Sequence, residues 1–204
     1  MDLTSGVLIL AGGKSERMAF PKPYLIYKGK TFLEKIIEGY HSAGMGNICL
    51  VINKEHCQGE WKQYFDKCKP LVSLIEKTDS TYGRFHSIKL GLKNFINVDF
   101  CFIHNVDNPF LDKETTASLL AVKNLSGYTV AHHKGKKGHP LLISKSIVKR
   151  INEDQTGVDN LRDILLEFPR QVVEVNNREI LLNVNTPDDY EHYILRKELL
   201  EGFL

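Results

Sequence analysis

The chain alternates between short uninterrupted apolar runs and longer stretches in which apolar residues recur every three or four positions. Val7 to Leu10 is a continuous apolar run that breaks at Gly12 and Gly13, the pattern of a buried strand feeding a loop. Thr31 to Glu34 has the form of a capping box, and Phe32, Ile36, Ile37 and Tyr40 keep helical spacing up to Gly44. Ile48–Ile52 is again a β-branched strand run. His56 to Lys69 reads as a helix and Leu71 to Ile75 as a third strand. Glu76 to Gly83 is polar and aperiodic, so it is expected to be a loop. Phe85, Ile88, Leu92 and Phe95 mark a helical face before the strand Phe100–His104, which ends at Val106-Asp107-Asn108-Pro109.

Further along, Leu111 to Lys123 predicts a helix, Tyr128 to His132 a strand, Lys134 to Gly138 a turn, and Pro140 to Ile143 a strand pairing back antiparallel. Ile147–Ile151 and Leu161–Phe168 read as helices, and Val172–Val175 and Ile180–Leu182 as two short strands. Thr186-Pro187-Asp188-Asp189 is a strong helix start, with a hydroxyl cap, proline in the first turn and acids against the positive end of the dipole. The last helix should run to about Leu200. Strands alternating with helices through two thirds of the chain give an α/β fold with a mainly parallel sheet, helices on both faces and a small late antiparallel element. No repeat or Pro/Ser-rich linker divides it, so residues 1–204 read as one domain. In such sheets ligands sit at the carboxyl ends of the strands.

Composition narrows the picture little. Lys and Arg exceed Asp and Glu by 27 to 25, too small a margin for a dedicated nucleic-acid or membrane-surface binder. No apolar run is long enough to span a membrane, and the first residues lack a signal peptide's basic start and apolar core, so a cytoplasmic protein is expected. Cys49, Cys57, Cys68 and Cys101 show no C-x-x-C spacing and read as reduced, structural thiols.

The glycine loop carries the candidate chemistry. A P-loop needs glycine five residues before Gly13-Lys14-Ser15, where the chain has Leu8; a dinucleotide fingerprint needs glycine where the chain has Lys14 and Arg17. Both readings fail. A loop that lets backbone N–H groups approach phosphate remains, against an ordinary strand-to-helix turn. His132, His133 and His139 do not make a zinc site, because adjacent strand residues face opposite ways and no cysteine pair accompanies them. Lys134 to Gly138 lacks the interleaved aromatics of an RNA-binding stripe.

Leu10-Ala11-Gly12-Gly13-x-Ser15-x-Arg17-Met18 followed by Lys22-Pro23 resembles the signature of the molybdenum-cofactor guanylyl- and cytidylyltransferases within the wider nucleotidyltransferase superfamily. Five further elements occur in the family's order. They are Gly83 to Ser87 with Gly91-Leu92, the turn from Val106 to Pro109, Gly138-His139-Pro140, Asn160-Leu161-Arg162, and Asn183 to Asp189. The resemblance implies a Rossmann-like three-layer sandwich of the nucleotide-diphospho-sugar transferase type, and transfer of a nucleoside monophosphate from CTP or GTP to molybdopterin with release of pyrophosphate. By that resemblance Leu10, Ala11, Gly12, Gly13, Ser15, Gly83 and Ser87 bind nucleotide. Arg17 would hold the β- and γ-phosphates, and Lys22 would steady the reacting α-phosphate. Asp107, with Asn185 and Asn183, would bind Mg²⁺; family members carry aspartate at some of these positions, and a neutral amide offers oxygen without charge. Lys137, Gly138, His139 and Pro140 would meet the acceptor.

Two features leave alternatives open. The second glycine of the loop resembles the guanylyl branch, whereas the G-H-P-L-L and N-L-R elements resemble the cytidylyl branch, which favours CMP transfer. Ala19 stands where the family usually has glycine. A sugar phosphate or other phosphorylated metabolite as acceptor, and a non-catalytic cofactor carrier that escorts pterin to a molybdoenzyme, are the competing readings.

Overall fold

The computed structural model describes residues 3–79, 82–154 and 157–196. Among the described residues nine strands form two sheets: β1 (Ser5–Ala11), β2 (Ile26–Tyr27), β3 (Lys30–Thr31), β4 (Ile48–Asn53), β5 (Ser73–Lys77), β6 (Phe100–Asn105), β7 (Tyr128–His133), β8 (Lys136–Ser144) and β9 (Arg170–Glu174). The main sheet has the order β5-β4-β1-β6-β8-β7-β9. All neighbours run parallel except around β8, which pairs antiparallel with β6 on one side and β7 on the other. The α-helices are α1 (Phe32–Ser42), α2 (Lys62–Cys68), α3 (Arg84–Leu92), α4 (Lys113–Ala121), α5 (Lys145–Asn152), α6 (Leu161–Leu166) and α7 (Pro187–Tyr190). Among the described residues no helix is long and apolar enough to cross a membrane.

β1 is central, and its alternation supplies both cores. Val7 and Ile9 pack on one side with Ile36, Ile37 and Tyr40 of α1, while Leu8 and Leu10 face Ile88 and Leu92 of α3 on the other. Each such side chain, withdrawn fully from water, contributes roughly 1.5–3 kcal/mol. The predicted capping box starts α1: Glu34 N–H donates to Thr31 Oγ1 at 3.2 Å, and Thr31 N–H donates to Glu34 Oε2 at 2.7 Å. All four cysteines are buried and free, and burial pushes the thiols of Cys49 and Cys57 up to about 11 and of Cys68 up to about 12.

Several boundaries differ from the sequence reading, each for a local reason. The expected helix from His56 is broken by Gly59, whose φ of 60° lies in the left-handed region, so two 3₁₀ turns precede α2. β5 begins at Ser73 and runs to Lys77, because Pro70 places Leu71 in a 3₁₀ turn. Lys136, Lys137 and Gly138 belong to β8. Lys134 and Gly135, with φ of 50° and 74°, turn the chain in two residues and let pairing resume at once. Ile180 and Leu181 lie in a 3₁₀ turn and Leu182 at its end, not in a strand; the side chain of Asn108 satisfies carbonyls there that a strand partner would otherwise take. After α7 the helix continues as a π-turn over Glu191–Leu195, and the expected stretch to Leu200 lies outside the described residues.

Candidate active site

β1 and β6 are adjacent and parallel, with Leu10 opposite Asn105, so the glycine loop and the Asp107 turn leave the sheet side by side. The amino end of α3 closes the third side. The result is a cleft of about 380 Å³ lined by Leu10, Ala11, Gly12, Gly13, Ser15, Lys22, Gly83, Ser87 and Asp107, all anticipated from sequence, and by Lys77, Tyr82 and Arg84. A Cβ on Gly12 would stand 3.0 Å from Ser87 Oγ and 3.1 Å from Lys77 Cδ, so this glycine lets the loop lie against α3 and β5. A Cβ on Gly13 would meet nothing within 4 Å; its backbone faces open space. Ser15 adopts a left-handed conformation (φ 57°), and its hydroxyl accepts the Lys22 N–H at 3.0 Å, tying the two ends of the loop together.

Lys22 Nζ donates to Asn185 Oδ1 at 2.7 Å. Burial lowers the Lys22 pKa, opposed by Asp107, reinforced by Arg17 and opposed again by Asp189. Burial likewise raises Asp107, and Lys22, Arg84 and Arg17 pull it back. Asp107 Oδ1 is buried with no hydrogen-bond partner, and so is Asn183 Oδ1. Among the described residues these two buried side-chain oxygens beside the turn lack a donor, which a buried oxygen ordinarily has. The backbone joins them: Val184 N–H donates to Asp107 O at 2.8 Å.

Behind this turn sits a wholly buried histidine. His104 Nε2 is 2.7 Å from Asn108 O, which can only accept, so Nε2 carries the proton and Nδ1 accepts the Tyr40 hydroxyl at 2.9 Å. Burial drives the His104 pKa down to about 4, against the bond to Asn108. Asn108 in turn donates to Glu179 O at 3.1 Å. The asparagine of the D-N-P turn is therefore a strut between β6 and the segment leading to Asn183.

Other anticipated residues fall differently. Arg17 is exposed on a short 3₁₀ turn, Glu16–Met18, and does not line the cleft, although its charge acts on Lys22 and Asp107. Asn185 is near but its oxygen is engaged by Lys22. Lys137, Gly138 and His139 line a second cleft of about 660 Å³, which adjoins the first at Arg84. Pro140 is buried and does not line it. A Cβ on Gly138 would stand 2.6 Å from Ile180 Cδ1, so that glycine serves close packing. His139 is pushed down to about 3 by burial, then by His104, Arg84 and Lys137, and is neutral at neutral pH.

A model of the MobA-like NTP transferase domain matches residues 7–175. The chain belongs to the MobA-like NTP transferase family. It is thus a nucleotidyltransferase by family. The molybdenum cofactor cytidylyltransferase of Escherichia coli (strain K12) is 26% identical over 183 residues, covering 90% of this chain and 92% of that one. The "Probable molybdenum cofactor guanylyltransferase" of Clostridium perfringens is 28% identical over 204 residues, covering 94% and 96%. The 2-C-methyl-D-erythritol 4-phosphate cytidylyltransferase of Pseudoalteromonas atlantica is 26% identical over 187 residues, covering 84% and 78%. The solved nucleotidyl transferase from Methanothermobacter thermautotroptrophicus shares the fold, with a TM-score of 0.78 over 98% of this chain and 99% of that one at 18% identity.

Within this member of the family, Lys77 escaped the sequence reading. It ends β5, is 5% exposed, and donates to the carbonyls of Tyr82 and Gly83 (3.5 Å to the latter). Burial lowers its pKa, opposed by Asp79. A lysine in a polar stretch reads as solvated; only the strand's extension to Lys77 carries it inside. Arg84 was visible only as part of a loop motif, and its position between two clefts depends on β8 lying across the sheet from α3.

Proposed function

We propose that this chain, acting within one domain, is a Mg²⁺-dependent nucleotidyltransferase that moves a nucleoside monophosphate from CTP, or from GTP as the lesser substrate, to the terminal phosphate of a molybdopterin-type acceptor. The observation that carries this is Asp107: a half-buried carboxylate with one oxygen buried and unpartnered, lining the same cleft as the glycine loop and Lys22. The open face of Gly13 and the amino end of α3 supply N–H groups for a triphosphate. An acceptor phosphate oxygen forms the new bond to the α-phosphorus as the bond to the bridging oxygen breaks and pyrophosphate leaves. Lys22, held by Asn185, stabilises charge at that centre. A phosphate acceptor needs no strong base, since its second pKa near ~6 leaves it largely dianionic.

Asp107 and Asn183 fit a hard cation, since both offer buried oxygens that nothing else satisfies. Among the described residues no three His, Cys, Asp or Glu side chains cluster around a metal position, which suits Mg²⁺ taking its other oxygens from phosphate and water. When bound, the ion would neutralise charge on the triphosphate. The G-H-P-L-L and N-L-R elements support CTP, and the relatives named for cytidylyl and guanylyl transfer support the pair. A second reading, another phosphorylated metabolite as acceptor, has the support of the relative named for 2-C-methyl-D-erythritol 4-phosphate.

Pyrophosphate release measured across the four triphosphates and several phosphorylated acceptors, with and without Mg²⁺, tests both. Turnover is expected with CTP and a molybdopterin-type acceptor; none with any triphosphate would leave only a carrier. Asp107→Ala should cost roughly a hundredfold or more in turnover. Its melting temperature should not fall, because a desolvated carboxylate is removed. Near-normal activity in that variant would overturn the metal assignment.

A further inference from the structure

The wall of the first cleft nearest β5 is built around a lysine. Lys77 ends β5, two strands to one side of β1 in the order β5-β4-β1-β6, whereas Asp107 follows β6 on the other side. Three strand spacings of roughly 4.8 Å each separate β5 from β6, so Lys77 and Asp107 stand at opposite ends of the cleft that both line.

The stem and the head of Lys77 have different surroundings. The stem lies along the glycine loop, with Cδ 3.1 Å from where a Cβ on Gly12 would stand. The ammonium donates to Tyr82 O and, at 3.5 Å, to Gly83 O. Tyr82 and Gly83 themselves line the cleft, so these carbonyls are the acceptors that its wall would otherwise offer a ligand. With both engaged, this end of the cleft is poor in acceptors and rich in donors. Arg84 beside them can only donate, and among the described residues the one acid that lines the cleft, Asp107, is across the sheet. Gly83 also starts α3 without a side chain to cap it, which leaves the N–H groups of the first turn to other partners.

We propose that Lys77 decides which bases the cleft accepts: by holding the Tyr82 and Gly83 carbonyls it leaves a donor-bearing wall, which fits a base edge with two adjacent acceptors and rejects an edge that presents a hydrogen there. Lys77 is thus a positioning residue, acting through the loop it holds. This rests on the cleft being the nucleotide site, with the triphosphate at Gly13 and Asp107 and the base therefore at the β5 end. Cytosine has such a pair of acceptors in O2 and N3, and guanine in O6 and N7; uracil carries a hydrogen on N3, and adenine an amino group beside N7. A donor facing a donor leaves both unsatisfied, so the mismatched bases are penalised rather than merely bound less well. Acceptance of both CTP and GTP, with rejection of UTP and ATP, then follows from one arrangement of the loop.

The test is equilibrium binding to the full chain, by titration calorimetry with Mg²⁺ and no acceptor present. The ligands are the non-hydrolysable α,β-methylene CTP analogue, its GTP, UTP and ATP counterparts, and inorganic triphosphate, which has no base. The CTP and GTP analogues should bind at least ~10-fold tighter than the UTP and ATP analogues. In Lys77→Met, which keeps the stem against Gly12 and carries no donor, these ratios should fall to about threefold or less. Lys77→Gln, whose single amide can hold only one of the two carbonyls, should lower them by about threefold and decides the matter if Lys77→Met does not fold. Inorganic triphosphate should weaken no more than about threefold in either variant at physiological salt, because the lost charge is distant and screened. Equal wild-type affinity for the four analogues, or wild-type ratios in the variants, would overturn the proposal. So would a parallel loss of all four analogues and inorganic triphosphate, which would make Lys77 a brace for the loop alone. If the wild-type protein binds neither inorganic triphosphate nor any analogue, the nucleotide reading fails and the proposal with it, whereas binding without base selection strikes the proposal only.

Discussion

Ala19 has φ 52°, in the left-handed region, at the end of the short turn that carries Arg17. A Cβ there costs roughly 1 kcal/mol. Ala19→Gly should therefore raise unfolding free energy by about 0.5 kcal/mol after the added freedom of the unfolded chain is offset. Urea titration measures this, and a lower midpoint with unchanged slope would contradict it. At the same scale the sequence spoke clearly where a residue type had few uses and poorly where it had many. The adjacent glycines, the lysine between prolines and the aspartate after an apolar strand all lie at one cleft. Lys77 does not announce itself, because nothing about a lysine says whether its ammonium will be roofed by two carbonyls. Gly138 lines the second cleft and also packs against Ile180, a contact that local sequence does not show.

At the scale of elements, α3 connects core to chemistry. A Cβ on Gly91 would run into the side chain of Leu8 and approach Val51 Cγ2 to 3.1 Å, so the helix lies on the sheet as closely as glycine permits. Gly91→Ala should lower stability by roughly 1–3 kcal/mol through overpacking. Because Gly83, Arg84 and Ser87 ride on the same helix, it should also weaken triphosphate binding; a variant that loses stability yet binds the CTP analogue as before would show that the helix does not move as a unit. Buried strands were legible from unbroken apolar runs, as were helices from periodicity. The hairpin of β2 and β3 escaped notice, although Lys28-Gly29 turns it with φ of 49° and 72°, much as Lys134-Gly135 turns β7 into β8. Lysine is not a usual left-handed residue, so neither dipeptide carried the signal that Asn-Gly would have done. Nor could local sequence show that Asn108 would replace a strand partner for the carbonyls after Arg178.

For the molecule as a whole, histidines withdrawn from water contribute to the response to acid. His104 is protonated in the unfolded chain below about 6.5 but in the folded protein only below about 4. Its folded pKa is depressed, so its contribution is fully present above pH 6.5 and is lost as pH falls towards 4, up to about 3 kcal/mol. His139 acts in the same sense, with a folded value of about 3. Unfolding free energies from urea titrations between pH 7 and 4.5 should fall steadily, and His104→Gln should make the slope shallower by about 1.4 kcal/mol per pH unit. An unchanged slope would mean that the pocket around Tyr40 admits the proton. The strut from Asn108 to the carbonyls of residues 179–182 has a consequence in time. Strands β1 and β6, the glycine loop and Asp107 are all synthesised before Asn183 and Asn185, which lie beyond the residues 7–175 matched by the family model. A chain still emerging from the ribosome could assemble the sheet and its glycine loop while Lys22 waits for Asn185, so the bond between them closes only when the last segment docks.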